Sequence, residues 1–195
     1  MNIREDKKQG IIREGLKILY RKGYNGTGVK EITDAAGIPK GSFYNYFKSK
    51  EDFAIAAMRY FTGKELASMN RILTDETLPP LKRIETLYTM KCEHFIQKNA
   101  FSLGCYLCNI TLEMADISQS IAAAAADAFE REKQPLLRCL QQAQLAGEIS
   151  PERDIQQIAD LIRNSWLGAL VIMKAAKNET PLEGFQQMLH DIILC

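Results

Sequence analysis

Long apolar runs are missing from this chain of 195 residues. No stretch of about 18 consecutive apolar residues occurs, so no membrane-spanning helix is expected. The opening residues, MNIREDKKQG, are charged and lack the apolar segment of a secretory signal, which points to a cytoplasmic protein. A disulfide framework is excluded on similar grounds. Five cysteines cannot all pair within one chain, and a reducing cytosol favours thiols. Histidine is scarce: His94 and His190 share no motif with a carboxylate and a nucleophile, and surface or hydrogen-bonded positions are expected for both. Strand alternation, internal repeats and a disordered tail are absent as well. The Ala122–Ala126 run reads as helix, because alanine is the strongest helix former.

What remains is an all-α fold of about nine helices, with 46% apolar residues to build a core. Three- and four-residue spacing predicts the first helix over 3–22, carrying Ile11, Ile12, Gly15, Leu16, Leu19 and Tyr20 and stopped by Gly23. Thr27 is the expected N-cap of a second helix whose buried stripe is Val29, Ile32, Ala35 and Ala36, closed by Gly37. A short third helix is expected over 40–47, and a long one, capped by Ser49, over 50–73. After the TDETLPP break come helices over 80–98, 105–115, 118–146 (capped by Ser118 and kinked at Pro135), 154–177 and 181–194, with Thr180 capping the last. The net charge of +1 conceals an asymmetry. Residues 1–50 hold 11 Lys/Arg against 5 Asp/Glu, and the remainder is acidic, so the head is suited to a polyanion. The expected division is residues 1–50 as a basic head and 51–195 as a helical body, joined by the 50–73 helix.

The stretch from Thr27 to Lys50, TGVKEITDAAGIPKGSFYNYFKSK, carries the chemistry. Ala35, Ala36 and Gly37 supply the small residues and the turn of a helix-turn-helix. The second helix of such a unit enters the major groove, and Lys40, Ser42, Tyr44 and Asn45 are its exposed candidates. Gly41 permits close approach of the DNA backbone; Lys48 and Lys50 flank a helix start where phosphate binds well. Phe43 and Phe47 lie four residues apart and anchor the helix from one face.

The pattern Gly23, Thr27, Val29, Ile32, Ala36, Gly37, Lys40, Gly41, Ser42, Phe43, Tyr44, Tyr46, Phe47, Ser49, Lys50, Glu51, Phe53 resembles the DNA-binding signature of the TetR family of bacterial transcription regulators. Two positions depart from it: Asn45 stands where many members have His, and Phe53 where Leu is commoner. The resemblance implies a homodimeric regulator, usually a repressor and not an enzyme, without a cofactor. Such a protein binds double-stranded DNA at a palindromic operator and leaves it when an apolar or electrophilic small molecule enters the body. It also implies DNA contacts from Thr27, Lys40, Ser42, Tyr44, Asn45 and Lys50, and dimer contact through the helices over 154–177 and 181–194.

In the body, Gly104-Cys105-Tyr106-Leu107-Cys108 stands out. A zinc site needs a second ligand pair and a thioredoxin site needs a βαβ setting; the sequence offers neither. Cys105 falls at a helix start, where the dipole favours thiolate, and its Gly-Cys context resembles the branch of the family that responds to electrophiles and oxidants. The plainer reading makes Cys105 and Cys108 small core residues. Cys92, Cys139 and Cys195 read as core or surface thiols, the last open to adventitious oxidation. Lys174, eight residues beyond Trp166, is a candidate to face the same pocket; Met90, Phe95, Tyr106, Met114, Trp166 and Met173 are candidate lining. Two other classes compete with the DNA-binding regulator: a thiol enzyme or redox carrier using Cys105 and Cys108, and a helical interaction module without a DNA role.

Overall fold

The helical periodicity is realised throughout. A computed structural model describes residues 3–97 and 101–194, and the described residues form nine α-helices and no strand. These are α1 (Ile3–Lys22), α2 (Val29–Ala35), α3 (Lys40–Phe43), α4 (Lys50–Leu73), α5 (Pro80–Gln97), α6 (Tyr106–Met114), α7 (Gln119–Leu145), α8 (Ile155–Ala176) and α9 (Thr180–Leu194). Cys195 and the side chains of Ile192 and Ile193 lie outside the described residues. No described helix is long and apolar enough to cross a membrane.

Local signals explain most boundaries. Gly23 adopts φ +76° and its N–H donates to the Leu19 carbonyl, closing α1; Gly37 at φ +66° follows α2 in the same way. Ser49 Oγ accepts the Asp52 N–H at the start of α4, and Ser118 Oγ accepts the Ile121 N–H at the start of α7. Asp154 caps α8 by accepting from Gln156 and Gln157, and Lys177 ends it in the left-handed conformation. Helix α7 continues through Pro135.

Several expectations are corrected. Gly28, not Thr27, is the N-cap of α2, and Glu31, its third residue, accepts the Gly28 N–H at 3.0 Å. Ala35 is exposed and Thr33 is buried, its hydroxyl donating to the Lys30 carbonyl at 2.8 Å, because Ile32 and Thr33 share the face toward the core. Helix α3 ends at Phe43; beyond it, three-residue backbone bonds tighten the chain through Tyr46. Helix α6 begins at Tyr106, so Cys105 precedes it. Thr180 is inside α9, with its N–H on Asn178 Oδ1 and the Glu183 N–H on the Glu179 carbonyl, because Pro181 is tolerated anywhere in a first turn that needs no N–H.

Compactness also divides the chain differently from a cut at residue 50. One unit is Met1–Gly63 with Tyr106–Ala128, and the other is Lys64–Cys105 with Phe129–Cys195. Helices α4 and α7 are each long enough to contribute to both. In the first unit, Ile11, Ile12 and Leu19 of α1, Ile32, and the ring cluster Phe43, Phe47 and Phe53 are buried, with ring centroids 5.1–5.7 Å apart. Tyr106, Leu107, Ile110 and Met114 of α6 belong to the same unit and are buried too.

In the second unit, α9 packs along α8 and α5, and its core runs from Met69 and Ile84 through Leu140 and Ile162 to Met173 and Leu189. Tyr88, Trp166 and Phe185 stack mutually at 5.0–5.5 Å, with Phe95 at 6.0 Å from Trp166. Arg83 is buried in the same unit, yet it donates to the carbonyls of Leu73 and Leu78 and to Gln142 Oε1. A cation on the last carbonyls of α4 is favourably placed, and every bond it makes offsets its desolvation.

Gly15 marks the closest helix approach in the first unit. A Cβ there would lie 2.5 Å from the Phe53 ring and 2.8 Å from Ile32 Cγ2. Replacing glycine by alanine within a helix ordinarily stabilises by about 1 kcal/mol, but forcing a methyl into packed rings costs about 1–3 kcal/mol. Gly15→Ala is therefore expected to lower stability, read as a reduced denaturant midpoint at unchanged slope. A raised midpoint would show that the phenyl ring gives way freely.

Candidate nucleic-acid interface and effector site

The α2–α3 unit presents one polar face. Lys40, Gly41, Tyr44, Asn45 and Lys48 are exposed, Tyr44 at 56%, and Ser42 is half-buried. Beneath them Phe43 and Phe47 are buried completely, each worth about 2–3 kcal/mol of apolar burial, so the exposed groups stand on a fixed platform. Arg4 of α1 reaches across to the Asn45 carbonyl at 3.0 Å, and the Lys8 ammonium sits 5.6 Å from the Phe47 ring centroid. Lys30 is paired with Asp34 one turn on, and Lys22 with Glu31. The first turn of α4 is already furnished by its own side chains, because Asp52 Oδ2 accepts the Lys48 N–H at 2.9 Å.

Two residues expected to touch DNA are engaged inside the head. Thr27 is 1% exposed, and its hydroxyl donates to the Gly23 carbonyl at 2.7 Å. Its side chain braces the turn from inside and offers nothing to a groove. Lys50 is half-buried, with its ammonium donating to the carbonyls of Tyr24 and Thr27 at 2.8 and 2.9 Å while lying 4.1 Å from the Tyr24 ring centroid. Two of its three donors and its cation–π partner are inside the head, and burial pulls its pKa down.

Glu113 of α6 was not legible as a functional residue. Its carboxylate accepts the N–H of Tyr24 at 3.1 Å and of Asn25 at 2.9 Å. The loop between α1 and α2 is thus held by an anion on its amides and by Lys50 on its carbonyls. Gly23 has to be glycine on two counts, its positive φ and the Glu113 carboxylate, which would lie 2.4 Å from a Cβ. The 89-residue separation from Tyr24 leaves no local spacing from which the contact can be read.

The second unit holds the aromatic part of the candidate effector site. Trp166 and Met173 are buried on α8, and Phe95 is half-buried against Trp166. Lys174 is corrected: it is exposed, because eight helical residues turn it about 80° from Trp166, whereas seven leave Met173 nearly in line. The lysine near the indole is Lys91 of α5, 6.0 Å from the ring centroid and 2.7 Å from Glu65 of α4. Met90 is 43% exposed and lines nothing buried. Tyr106 and Met114 belong to the first unit, where Tyr106 stacks with Tyr20 and Phe61 at 5.7 Å; its buried hydroxyl lacks a hydrogen-bond partner, and burial raises its pKa. His94 and His190 are exposed, as expected.

The thiols differ in chemistry. Burial pushes Cys92 up to about 12 and Cys139 up to about 11, and Cys139 Sγ donates to the Pro80 carbonyl at 3.2 Å. Both stay protonated and inert at neutral pH. Cys105 and Cys108 are half-buried, and no group of three or more His, Cys, Asp or Glu among the described residues is arranged to hold a metal ion.

A short helix with an exposed polar face, propped on a glycine turn and an aromatic platform and joined to a separate helical body, defines a helix-turn-helix transcription regulator. Comparison with known proteins agrees. Residues 11–57 match the family described as bacterial regulatory proteins, tetR family, and residues 80–189 match the tetracyclin repressor-like C-terminal domain. The transcriptional regulator AcuR of Cereibacter sphaeroides is 33% identical over 91% of this chain and 80% of its own. The HTH-type transcriptional repressor DhaR of Mycobacterium sp. strain GP1 is 29% identical over 96% and 92%. The crystal structure of Escherichia coli NemR in its reduced form superposes with a TM-score of 0.88 at 24% identity, covering 95% of this chain and 96% of that one. The chain belongs to the TetR family and is a DNA-binding transcription regulator; its relatives are regulators rather than enzymes.

The Glu113 contact sets a stability prediction. Two charge-assisted bonds to backbone amides are worth about 1.5–3 kcal/mol each against leaving the amides to water. Glu113→Ala is expected to speed hydrogen exchange at the Tyr24 and Asn25 amides by at least about tenfold while leaving the α5 amides unchanged. Equal acceleration in both places would mean global unfolding instead.

Proposed function

We propose that this regulator is a homodimeric repressor that reads DNA through Lys40, Gly41, Ser42, Tyr44, Asn45 and Lys48, and that leaves its operator when a small molecule engages the second unit, with Cys105 as a point of covalent modification. The observation that carries the DNA reading is the exposed set from Lys40 to Lys48 above the buried rings of Phe43 and Phe47. Lysines and a tyrosine hydroxyl suit phosphate and guanine edges, and Asn45 suits an adenine edge or a phosphate. Lys50 enters this reading as the brace of the α1–α2 turn, with its remaining donor available to a phosphate. Repressor activity is supported by the names of DhaR and NemR, and a redox-responsive thiol by the fact that NemR was solved in a form called reduced.

Release follows from connectivity. Helix α6 begins one residue after Cys105 and carries Glu113, which holds the α1–α2 turn. A change that shifts the start of α6 alters the Glu113 clamp and so the aim of α3. The test is a gel shift with the intergenic DNA beside the protein's own gene. Lys40→Ala is expected to weaken binding and reduce the salt slope by about one; Cys105→Ser is expected to bind normally but resist release by quinones. Binding without salt or sequence dependence would defeat the DNA reading, and normal release of Cys105→Ser would defeat the thiol reading.

Dimerisation through α8 and α9 is supported by an uncovered stripe. Leu161, Gly168 and Ile172 recur on one side of α8, opposite Trp166, with Leu161 50% and Ile172 57% exposed. A second copy crossing this face buries the stripe by symmetry. Ile172→Asp is expected to raise the dimer dissociation constant by at least about tenfold, roughly 1.4 kcal/mol. An unchanged sedimentation equilibrium would place the interface elsewhere.

A further inference from the structure

The turn between α1 and α2 contains the sequence's only Asn-Gly pair, Asn25-Gly26, and the reading above leaves it unused. Both residues are exposed. The Thr27 N–H donates to the Tyr24 carbonyl at 3.3 Å, so Tyr24–Thr27 is a β-turn with Asn25 and Gly26 at its centre. That bond engages neither central N–H. The Asn25 N–H goes to the Glu113 carboxylate at 2.9 Å, and the Gly26 N–H donates to none of the described residues. An uncommitted backbone nitrogen therefore follows directly on a solvent-exposed side-chain amide, a combination that is chemically labile.

Glycine is required at position 26 for a separate reason. A Cβ there would lie 2.4 Å from the Lys22 carbonyl oxygen, a backbone atom in the last turn of α1. Any side chain at position 26 would also screen the Gly26 nitrogen from Asn25 Cγ. The fold thus excludes the residues that would protect the pair.

We propose that Asn25-Gly26 is a deamidation site, and that its conversion to aspartate or isoaspartate loosens the Glu113 brace and removes DNA binding as the protein ages. The Gly26 nitrogen gives its proton to solvent base and forms a bond to Asn25 Cγ. The Cγ–Nδ2 bond breaks, and the side-chain nitrogen leaves as ammonia after taking a proton from water. Water then opens the five-membered imide. Breaking the bond from Cγ to the Gly26 nitrogen gives aspartate; breaking the bond from the backbone carbonyl gives isoaspartate, whose main chain runs on through Cβ and Cγ. The sum consumes one water and releases one ammonia, with no oxidant or reductant.

Both products act on the brace. Each places a carboxylate on the residue whose N–H Glu113 accepts, so like charges meet where an anion is already held. Isoaspartate also adds an atom to the main chain between Tyr24 and Thr27, the two carbonyls that the Lys50 ammonium joins at 2.8 and 2.9 Å. The turn sets how α2 leaves α1, so the exposed residues of α3 lose their aim while the second unit stays intact.

The test ages the full chain at mildly alkaline pH beside Asn25→Gln, which keeps a side-chain amide but would need a larger, slower-forming ring. Peptide mapping by mass spectrometry, with isoaspartate labelled by enzymatic methylation, is expected to show conversion at Asn25 ahead of every other asparagine. Asn164-Ser165 is the internal control, because α8 engages the Ser165 N–H. Binding to the intergenic DNA beside the protein's own gene is expected to fall in proportion to conversion. Hydrogen exchange at the Tyr24 amide reads the brace without DNA and is expected to quicken by at least about tenfold in the converted fraction, as loss of a charge-assisted bond implies, with the α5 amides unchanged. Aged Asn25→Gln is expected to retain both properties. An intact Asn25 after ageing would overturn the site. Conversion that leaves exchange at Tyr24 unchanged, or equal loss of binding in Asn25→Gln, would overturn its effect on the brace.

Discussion

The turn between α1 and α2 is the point on which the DNA-binding head depends. It is short, contains Gly23, Gly26 and Gly28, and does not satisfy all of its own backbone groups. Opposite charges from two other helices, α6 and α4, resolve this. Glu113 takes amide protons at Tyr24 and Asn25, and Lys50 gives its own to carbonyls at Tyr24 and Thr27. An anion on N–H groups and a cation on C=O groups each follow the local dipole, so both are stronger than neutral bonds. The turn then sets the angle at which α2 leaves α1, and α3 follows through the tight Gly37 turn. A regulator whose output is the position of one short helix gains a control point at this turn, because α6 supplies one of its two charged braces.

Buried polar groups in the second unit fall into two kinds, and the difference is physical. Arg83 is buried with three acceptors around it, so its charge is compensated and its role is to join the end of α4 to α5 and α7. Glu132 is shielded with an oxygen that nothing satisfies, and the structure accommodates it by keeping its proton on. The first arrangement contributes to stability. The second sacrifices some stability, since an apolar side chain would sit there at lower cost.

The helical plan was readable almost residue by residue where the signal is local. Ser49 and Ser118 cap as their side chains dictate, Gly23 and Gly37 stop helices because they tolerate positive φ, and the four-residue spacing of Phe43 and Phe47 buries both. Misreadings arose where two local solutions compete. Thr27 and Gly28 can both precede a helix, and the Glu31 carboxylate decides for Gly28 by reaching its N–H. Lys174 fails because eight residues do not return to one helical face, an error of phase that the period of 3.6 makes visible once the helix is built.

The sequence by itself determined that the chain is all-helical, that a basic, aromatic-backed short helix begins near Lys40, and that a cysteine falls at the start of a helix in the body. These properties depend on spacing within one or two turns, which the order of residues specifies directly. Tertiary structure decided what Lys50 and Thr27 do inside the head, because both bond to the turn at Gly23–Thr27. It decided that Lys91 lies near Trp166, that Glu113 braces the α1–α2 turn, and that Glu132 is shielded without a partner. A carboxylate owes its function to the groups that folding brings to it from tens of residues away, and to the water that folding takes from it; neither is written in its neighbours along the chain.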